Sequence, residues 1–347
     1  MPATEFTAAE SQALDESPLW PRLLVFPAAY AGFAMLLFQW PTGHWAAQCL
    51  IAIATAYCLL CWTSCLHETA HQTLCSTRWV NIVLGKVLGT TMLVPYTVYR
   101  ETHIRHHAYL NKPADWELWP YSDPQAPLWF RRVFVWCDLV FGWLVNPCVY
   151  GRIFFHRDSP IASPDIRRVI RREYRAIVIT WTVLIGGGVW LLAIHRPAGL
   201  GWWWLVPIPL SGMLQSARKL TEHLGMRSYD PMLGTRSVAG EGWITHLCTW
   251  LNFDIFVHGP HHRHPKVAHH LLRETLRDCE TDNREIAWPV FATYRTAIWD
   301  MLPWMWRNPG VGINVGAPPV SRTHIEDCQN FVEDVNRDIL TPEEVGR

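Results

Sequence analysis

Long apolar stretches alternate along the chain with polar, charged segments. A membrane-spanning helix needs about 20 apolar residues, and four of these stretches have a similar length. They are residues 21–38, 45–66, 177–194 and 202–216. A link at residues 41–43 joins the first two, and a link at residues 195–201 joins the last two. The pattern therefore predicts two transmembrane helical hairpins, which is about four spans.

Two other apolar stretches, residues 80–96 and 128–150, contain charges or breaks at Lys86, Asp138 and Pro147. Such segments are typical of helices that lie in the membrane interface or pack against a bundle. A span through either stretch would change the predicted topology, and the sequence leaves that alternative open.

The basic residues are unevenly placed. Residues 78–175 and residues 218–347 each contain 14 of the 30 Lys and Arg, whereas the two links contain only Arg196. Because cytoplasmic segments of membrane proteins carry the excess of positive charge, the N-terminus and both basic segments are predicted to face the cytoplasm. The compact chain favours a bacterial inner membrane over an organelle membrane.

Together these patterns predict an all-α integral membrane protein with a single domain. The expected parts are a polar tail at residues 1–20, a first hairpin at 21–66, a cytoplasmic segment with interfacial helices at 67–173, a second hairpin at 174–217, a cytoplasmic helical cap at 218–307 and a polar tail at 308–347. A short amphipathic helix is expected near residues 322–339.

The composition agrees with a membrane location. Only 17% of the residues are charged, against about 25% in soluble domains, and many of the 21 Trp are expected at membrane–water interfaces. The formal net charge of zero excludes a whole-chain attraction to nucleic acid. The 10 Cys show no secreted-type spacing, so we interpret them as free thiols in a reducing compartment.

Histidines stand in three spaced groups and at one isolated position. His67 and His71 form H-x-x-x-H, and two H-x-x-H-H groups begin at His103 and His258. On a helix, positions i, i+3 and i+4 share a face, so each group directs imidazoles toward one point. Imidazole is a good ligand for iron, copper and zinc. The complete set is His67, His71, His103, His106, His107, His223, His258, His261 and His262.

The size and location of this set favour two metal ions. Nine nitrogens exceed what one ion accepts, since zinc takes about four ligands. They suit two ions with five or six ligands each and positions left for oxygen or water. The charge pattern independently places every group on the cytoplasmic side, near one membrane depth.

The motifs resemble those of the membrane fatty acid desaturase superfamily, which includes lipid desaturases, hydroxylases and carotenoid oxygenases. HETAHQT and HIRHHAYLN are similar to its first two histidine boxes, and ARKLTEHLG followed by NFDIFVHGPHH is similar to its isolated histidine and third box. The resemblance covers roughly residues 66–272. It implies that the nine histidines ligate two non-haem irons, with O₂ as co-substrate.

The third box departs from the common pattern at Gly259 and Pro260. Proline is favoured in the first turn of a helix, so we expect Pro260 to start one that carries His261 and His262. Metal-bound imidazoles need partners that orient them, and the candidates near the boxes are Glu68, Glu222, Asp115, Asn252 and Asp254. Helix capping or a solvated position is the alternative for each of them. His264, His269 and His270 are expected at the surface, with an orienting role beside the metal as the alternative for His264.

The resemblance implies O₂-dependent oxidation of an unactivated C–H bond in a lipid, with desaturation of a fatty acyl chain as the first choice. Hydroxylation and oxidative decarboxylation to a terminal alkene remain open, because they depend on substrate placement. Trp116, Trp119, Phe253 and Phe256 are candidates to line an apolar tunnel, with core packing as the alternative.

The chain contains no Gly-rich dinucleotide fingerprint and no Cys₄ iron–sulfur spacing, so a separate electron donor is implied, such as a ferredoxin, rubredoxin or cytochrome. A basic run could steer an acidic donor or anchor the chain on anionic lipid; its members are Arg167, Arg168, Arg171, Arg172 and Arg175.

Two other classes of protein compete with this reading. HETAH also fits the H-E-x-x-H motif of zinc proteases, with Glu68 as general base, but that reading leaves both H-x-x-H-H groups unexplained. A non-enzymatic metal transporter or receptor would spread its ligands through the bilayer depth, whereas these histidines are predicted to cluster at one face of the membrane. Metal content distinguishes the protease, which needs one zinc, from an oxygenase with two irons.

Overall fold

The computed structural model describes residues 8–16, 19–39, 44–195 and 206–320, and these are mostly helical. The N-terminal half contains α1 (Ala8–Glu16), α2 (Leu19–Gln39), α3 (Trp45–His71), α4 (Arg78–Thr91), α5 (Tyr96–Ala108), α6 (Leu128–Val140), α7 (Gly142–Phe155) and α8 (Pro164–His195). The prediction of a helical chain is confirmed for the described residues, apart from two short strands in the second half.

The second half begins with a 17-residue helix, and the elements that follow it are shorter. They are α9 (Pro207–His223), α10 (Pro231–Gly234), β1 (Ser237–Val238), α11 (Trp243–Leu251), α12 (His258–Arg263), α13 (Leu272–Asp282), β2 (Val290–Phe291) and α14 (Tyr294–Arg307), with 3₁₀ turns at His269–Leu271 and Gly312–Val315. Strands β1 and β2 pair in parallel, with Ser237 opposite Val290.

Helix α3 lies at the centre and packs against α2, α4, α5 and α9. Its 27 residues give a length of about 40 Å, which exceeds the about 30 Å of a bilayer core. Among the described residues it is the single helix that is long and apolar enough to span a membrane alone. It continues beyond the predicted end at residue 66 and finishes at His71, where Gln72 takes a left-handed conformation.

Helices α4 and α5 form one apolar unit that is bent by 103°. The bend is tight because Gly89 lies against the backbone of residues 94–96, and a Cβ at Gly85 would collide with the ring of Tyr96. The stretch at residues 80–96 was predicted to be interfacial. It contains most of α4 and the bend, and α4 and α5 together are long and apolar enough to form one broken span.

The stretch at residues 128–150 is also divided, because Phe141 separates α6 from α7. Helix α7 begins at Gly142, which approaches Gly212 of α9 so closely that side chains would not fit between the two helices. This contact fixes α9 against α7. Helix α8 contains the third predicted span and has exposed apolar side chains along that part, including Val183 and Trp190.

Some predictions lie outside the described residues. These are the link at residues 41–43, residues 202–205 of the fourth stretch, most of the link at 195–201 and the helix expected near 322–339.

His269 was predicted to lie at the surface, and this prediction was wrong. Its residue is 5% exposed and its ring bonds to Asp254, because Phe253 and the 3₁₀ turn enclose it. His264 is exposed as predicted.

Candidate metal centre

The last turn of α3 and the C-terminal half of α5 supply five of the nine histidines. His67 and His71 are one helical turn apart, and their ring centroids are separated by 4.8 Å. On α5, His103 and His107 are also one turn apart, at 4.8 Å between centroids. Because α5 crosses the end of α3, the rings of His67 and His103 approach to 4.6 Å.

The remaining histidines arrive from α9 and α12. His223 is the last residue of α9, and its ring centroid is 4.7 Å from that of His106. Helix α12 places His261 4.5 Å from His67 and places His262 4.8 Å from His106, measured between centroids. The third box thus reaches both of the other two.

All nine predicted ligands therefore lie together, in two adjoining groups. The first group is His67, His71, His103, His107 and His261. The second contains His106, His223 and His262, with His258 and Glu222 beside His223. His71 and His107 are partly buried and the other seven are buried, so the polar atoms are withdrawn from water.

The spacing between ring nitrogens is that of ligands around a cation. The Nε2 atom of His258 is 3.0 Å from that of His223 and 3.1 Å from that of His262. The Nε2 atoms of His103 and His107 are 3.3 Å apart. Two metal–imidazole bonds of about 2.1 Å at a right angle place their nitrogens about 3.0 Å apart. In addition, the buried Nε2 atoms of His67, His71 and His261 have no hydrogen-bond partner among the described residues.

The protonation state of four of the imidazoles also suits metal binding. Burial lowers the pKa of His107, His258, His261 and His262 well below the usual value, and neighbouring imidazoles lower it further. These imidazoles are therefore neutral at pH 7. The neutral form is the one that ligates a metal, because the lone pair on nitrogen is free.

Carboxylates hold the outer nitrogens of the second box. Asp115 accepts a hydrogen bond from Nδ1 of His106 at 2.8 Å, and Glu117 accepts one from Nδ1 of His103 at 3.0 Å. Burial by itself raises the pKa of Glu117, but His103 and the other hydrogen-bond partners outweigh it and lower that pKa to about 2. Both Nδ1–H groups are thus occupied, which directs both Nε2 atoms inward.

Asp115 is itself fixed by the backbone. It accepts hydrogen bonds from the N–H groups of Asn111 and Leu118, both at 3.3 Å. The side-chain amide of Asn111 donates to the carbonyls of Ser228 and Gly234, each at 2.8 Å. Asn111 therefore connects the carboxylate behind His106 to the segment that follows His223.

The other predicted orienting residues occupy different places. Glu68 accepts a hydrogen bond from Nδ1 of its neighbour His67 at 3.1 Å, and the second oxygen of Glu222 is 3.7 Å from Nε2 of His258. Asn252 instead bonds to Ser64 and Tyr57, and Asp254 bonds to His269 and Arg273. Asn252 and Asp254 join neighbouring elements together.

The third box forms a helix in spite of Gly259 and Pro260. Helix α12 begins at His258, so Pro260 stands inside the first turn and is not its first residue. The expectation that Pro260 starts the helix was wrong by two residues. The carbonyl oxygen of Ile255 accepts from Nδ1 of His258 at 3.0 Å, and Ser237 accepts from the N–H of Gly259 at 2.9 Å.

A buried arginine holds His223 in place. Nη1 of Arg236 donates to the carbonyls of Thr221 and Leu224, at 3.0 and 2.7 Å, and its Nε donates to Asp300 at 2.7 Å. A cation at these carbonyls also complements the negative end of the helix dipole. Arg236 therefore closes the last turn of α9 on both sides of His223.

Sequence reasoning missed Glu117 and Arg236. Glu117 follows Asp115 by two residues, and this closeness was the available signal. Of the four proposed tunnel residues, Trp119 lines an apolar cavity of about 320 Å³ between α6 and α7, whereas Phe253 is enclosed in the core.

The fold and the site together define a class: a helical protein whose buried imidazole clusters are compatible with a metal site. The sequence profile of the family described as fatty acid desaturase matches residues 40–294, and the chain belongs to this family. The resemblance drawn from the histidine motifs is confirmed.

The chain is similar, at low identity, to proteins named as desaturases and to one named as a conjugase. The chain is 23% identical over 280 residues to a chloroplastic omega-6 fatty acid desaturase of Glycine max, which covers 75% of this chain and 62% of the relative. It is 24% identical to the sn-1 oleoyl-lipid 12-desaturase of a Synechocystis strain, with 68% of each chain covered. The chain is 26% identical over 151 residues to a Delta(12) acyl-lipid conjugase of Impatiens balsamina, and this match covers 37% of this chain and 39% of the relative.

Proposed function

We propose that this protein is a membrane oxidoreductase that uses O₂ to desaturate a fatty acyl chain at a histidine-ligated di-iron centre. The observation that carries the proposal is the convergence of nine imidazoles in two adjoining, buried groups. Membership of the fatty acid desaturase family supports lipid as the substrate class.

We assign the two groups to two irons. His67, His71, His103, His107 and His261 would hold one, and His106, His223, His258 and His262 would hold the other. Imidazole suits iron, and the nitrogen spacing of 3.0–3.3 Å fits ligands that share an ion. Glu222 adjoins the four-histidine group and is available as a further ligand.

When bound, the two irons would supply the activation of O₂ that C–H oxidation requires. The chain itself contributes orientation and exclusion of water. Asp115 and Glu117 keep the second-box imidazoles fixed from behind, and Arg236 keeps His223 at the end of its helix. Burial of the clusters keeps water from competing for the inner nitrogens.

The same site supports related outcomes. Hydroxylation of the chain, or oxidative decarboxylation to a terminal alkene, would use the same ligands and the same oxidant. The choice among them depends on which C–H bond lies nearest the centre. Analysis of the products by mass spectrometry distinguishes them.

The geometry of Glu68 argues against a zinc protease. A protease based on His67, Glu68 and His71 needs that carboxylate to hold a water beside the metal. Here one oxygen of Glu68 accepts from His67 at 3.1 Å and the other accepts from Thr73 at 2.7 Å. Both oxygens are therefore engaged away from a metal-bound water.

We propose that the protein lies in a bacterial inner membrane. Electrons would reach it at the cytoplasmic face from a separate ferredoxin-, rubredoxin- or cytochrome-like donor. Arg168, Arg171, Arg172 and Arg175 are exposed on α8. This helix also reaches the histidine-bearing α5, because Glu173 accepts two hydrogen bonds from Thr97, each at 2.8 Å. An acidic donor at this surface would be near the centre.

Metal analysis of the purified protein in detergent tests the assignment. We expect about two irons per chain in the parent protein and about one in His106→Ala, with loss of O₂-dependent oxidation of a fatty acyl substrate. His264→Ala is the matched control, because His264 is exposed and stands beside α12. One zinc per chain that is retained in His106→Ala would overturn the proposal.

A further inference from the structure

A buried arginine lies beside the histidine clusters. The side chain of Arg218, on α9, is 7% exposed. Its Nε and Nη1 atoms are buried and make no hydrogen bond to any described residue. The nearest carboxylate oxygen belongs to Glu222, at 3.9 Å from Nε, which is an ion pair but too long for a hydrogen bond.

Arg218 lies close to the proposed metal centre and not at the surface of the protein. Glu222 joins the guanidinium to the clusters, since its other oxygen is 3.7 Å from Nε2 of His258. The guanidinium is also 6.0 Å from the ring centroid of Phe256.

A buried cation whose nearest counter-charge is 3.9 Å away is costly in this place. Donors that lose water and gain no acceptor cost free energy, and a buried charge needs a well-placed counter-charge. Two metal ions nearby would add repulsion, which a single carboxylate at 3.9 Å offsets only in part. A ligand that brings an anionic acceptor would relieve both costs.

The shape of the group selects the ligand. A guanidinium presents a planar fork of donors that matches the two oxygens of a carboxylate. A small anionic group suits a side chain that is 7% exposed. The carboxylate of a free fatty acid is small and is attached directly to the chain to be oxidised.

We propose that Arg218 binds the carboxylate of a free fatty acid, so that oxidation takes place at the carboxylate end of the chain. This inference rests on the proposed function and names its substrate class. Removal of two hydrogens from neighbouring carbons there consumes one O₂, two electrons from the separate donor and two protons, and it releases two waters. If the carboxylate carbon leaves as CO₂ with one C–H hydrogen and the acid proton, the same balance gives a terminal alkene.

Direct binding is the first test. Anaerobic protein in detergent is titrated with radiolabelled dodecanoic acid and with its methyl ester. We expect the parent protein to bind the acid about 10- to 100-fold more tightly than the ester, because a charge-assisted hydrogen bond to a buried group has that effect. Arg218→Gln should remove the difference, and Arg218→Lys should restore part of it.

Arg227→Gln is the matched control, because Arg227 is an exposed arginine near the end of the same helix, over the ring of Trp304. It should bind the acid as the parent does. Gel filtration and iron content identify a variant that misfolds. In that case the acid-to-ester ratio of the parent protein decides, and equal binding of the two probes overturns the inference.

Product analysis separates this inference from the proposed function. Oxidation within the first few carbons of the free acid supports both. Mid-chain oxidation of a phospholipid, unaffected by Arg218→Gln, overturns the inference and leaves the proposed function intact. A protein loaded with two irons that oxidises neither substrate contradicts the proposed function, while the binding ratio still decides on Arg218.

Discussion

The second and third histidine boxes have the same spacing but are held in different ways. HIRHH lies in the 13-residue helix α5, and two carboxylates, Asp115 and Glu117, fix its outer nitrogens. HGPHH lies in the 6-residue helix α12, where a backbone carbonyl holds His258 and a serine holds the backbone. Equal spacing therefore does not mean equal support, and the two boxes should respond differently to substitution.

The largest effect is expected at Asp115 of the second box. Asp115→Leu removes the acceptor of the Nδ1–H of His106, and loss of such a partner typically costs about 10- to 100-fold in metal affinity. The measurement is the iron retained against a chelator series. Asp254→Leu is the control, because that buried carboxylate bonds to His269 and not to a proposed ligand. Equal iron loss in the two variants would contradict an orienting role.

A smaller effect is expected at Glu117, because its amide analogue keeps one acceptor. Glu117→Gln should lower iron affinity about tenfold or less. Tyr150 donates to the other oxygen of Glu117 at 3.1 Å, so Tyr150→Phe should act through the same carboxylate. A double-mutant cycle measures this coupling, and strictly additive losses would show that the two side chains act separately.

In the third box, Gly259→Ala tests the backbone support. A Cβ at Gly259 would lie 3.3 Å from Met232 and 3.3 Å from the hydroxyl of Ser237, so that α12 must shift by a few tenths of an ångström. Overpacking of this kind costs about 1–3 kcal/mol. We expect a lower thermal midpoint and iron loss of only a few fold. Gly242→Ala, where nothing lies within 4 Å of the new Cβ, is the control. An unchanged midpoint would mean that α12 adapts freely.

The smallest effect is expected at Ser237. Ser237→Ala removes one hydrogen bond to the N–H of Gly259, which is worth about 1 kcal/mol. Iron affinity should change less than in Glu117→Gln, and chelator competition under the same conditions compares them. A larger loss than in Asp115→Leu would reverse the ranking of the two boxes.

Local features of the site were predictable because they depend on residues close in sequence. The faces of His67 and His71, and of His103, His106 and His107, follow from helical periodicity. The burial of His269 was mispredicted because it depends on Asp254 and Phe253, which lie in the turn before α12 and are distant from His269 in sequence. No periodic pattern reveals such a contact. The first and third predicted spans fall within α2 and α8, whereas the bend between α4 and α5 depends on close packing at Gly85 and Gly89.

The sequence by itself determined the helical class, the apolar stretches and the nine candidate ligands, because hydrophobic periodicity and histidine spacing are local properties. Only the tertiary structure decided that α3, α5, α9 and α12 meet at one point, that Glu117 lies behind His103, and that Arg218 is buried beside the clusters. These contacts join residues from different helices, and the way helices pack depends on side chains along their whole interfaces.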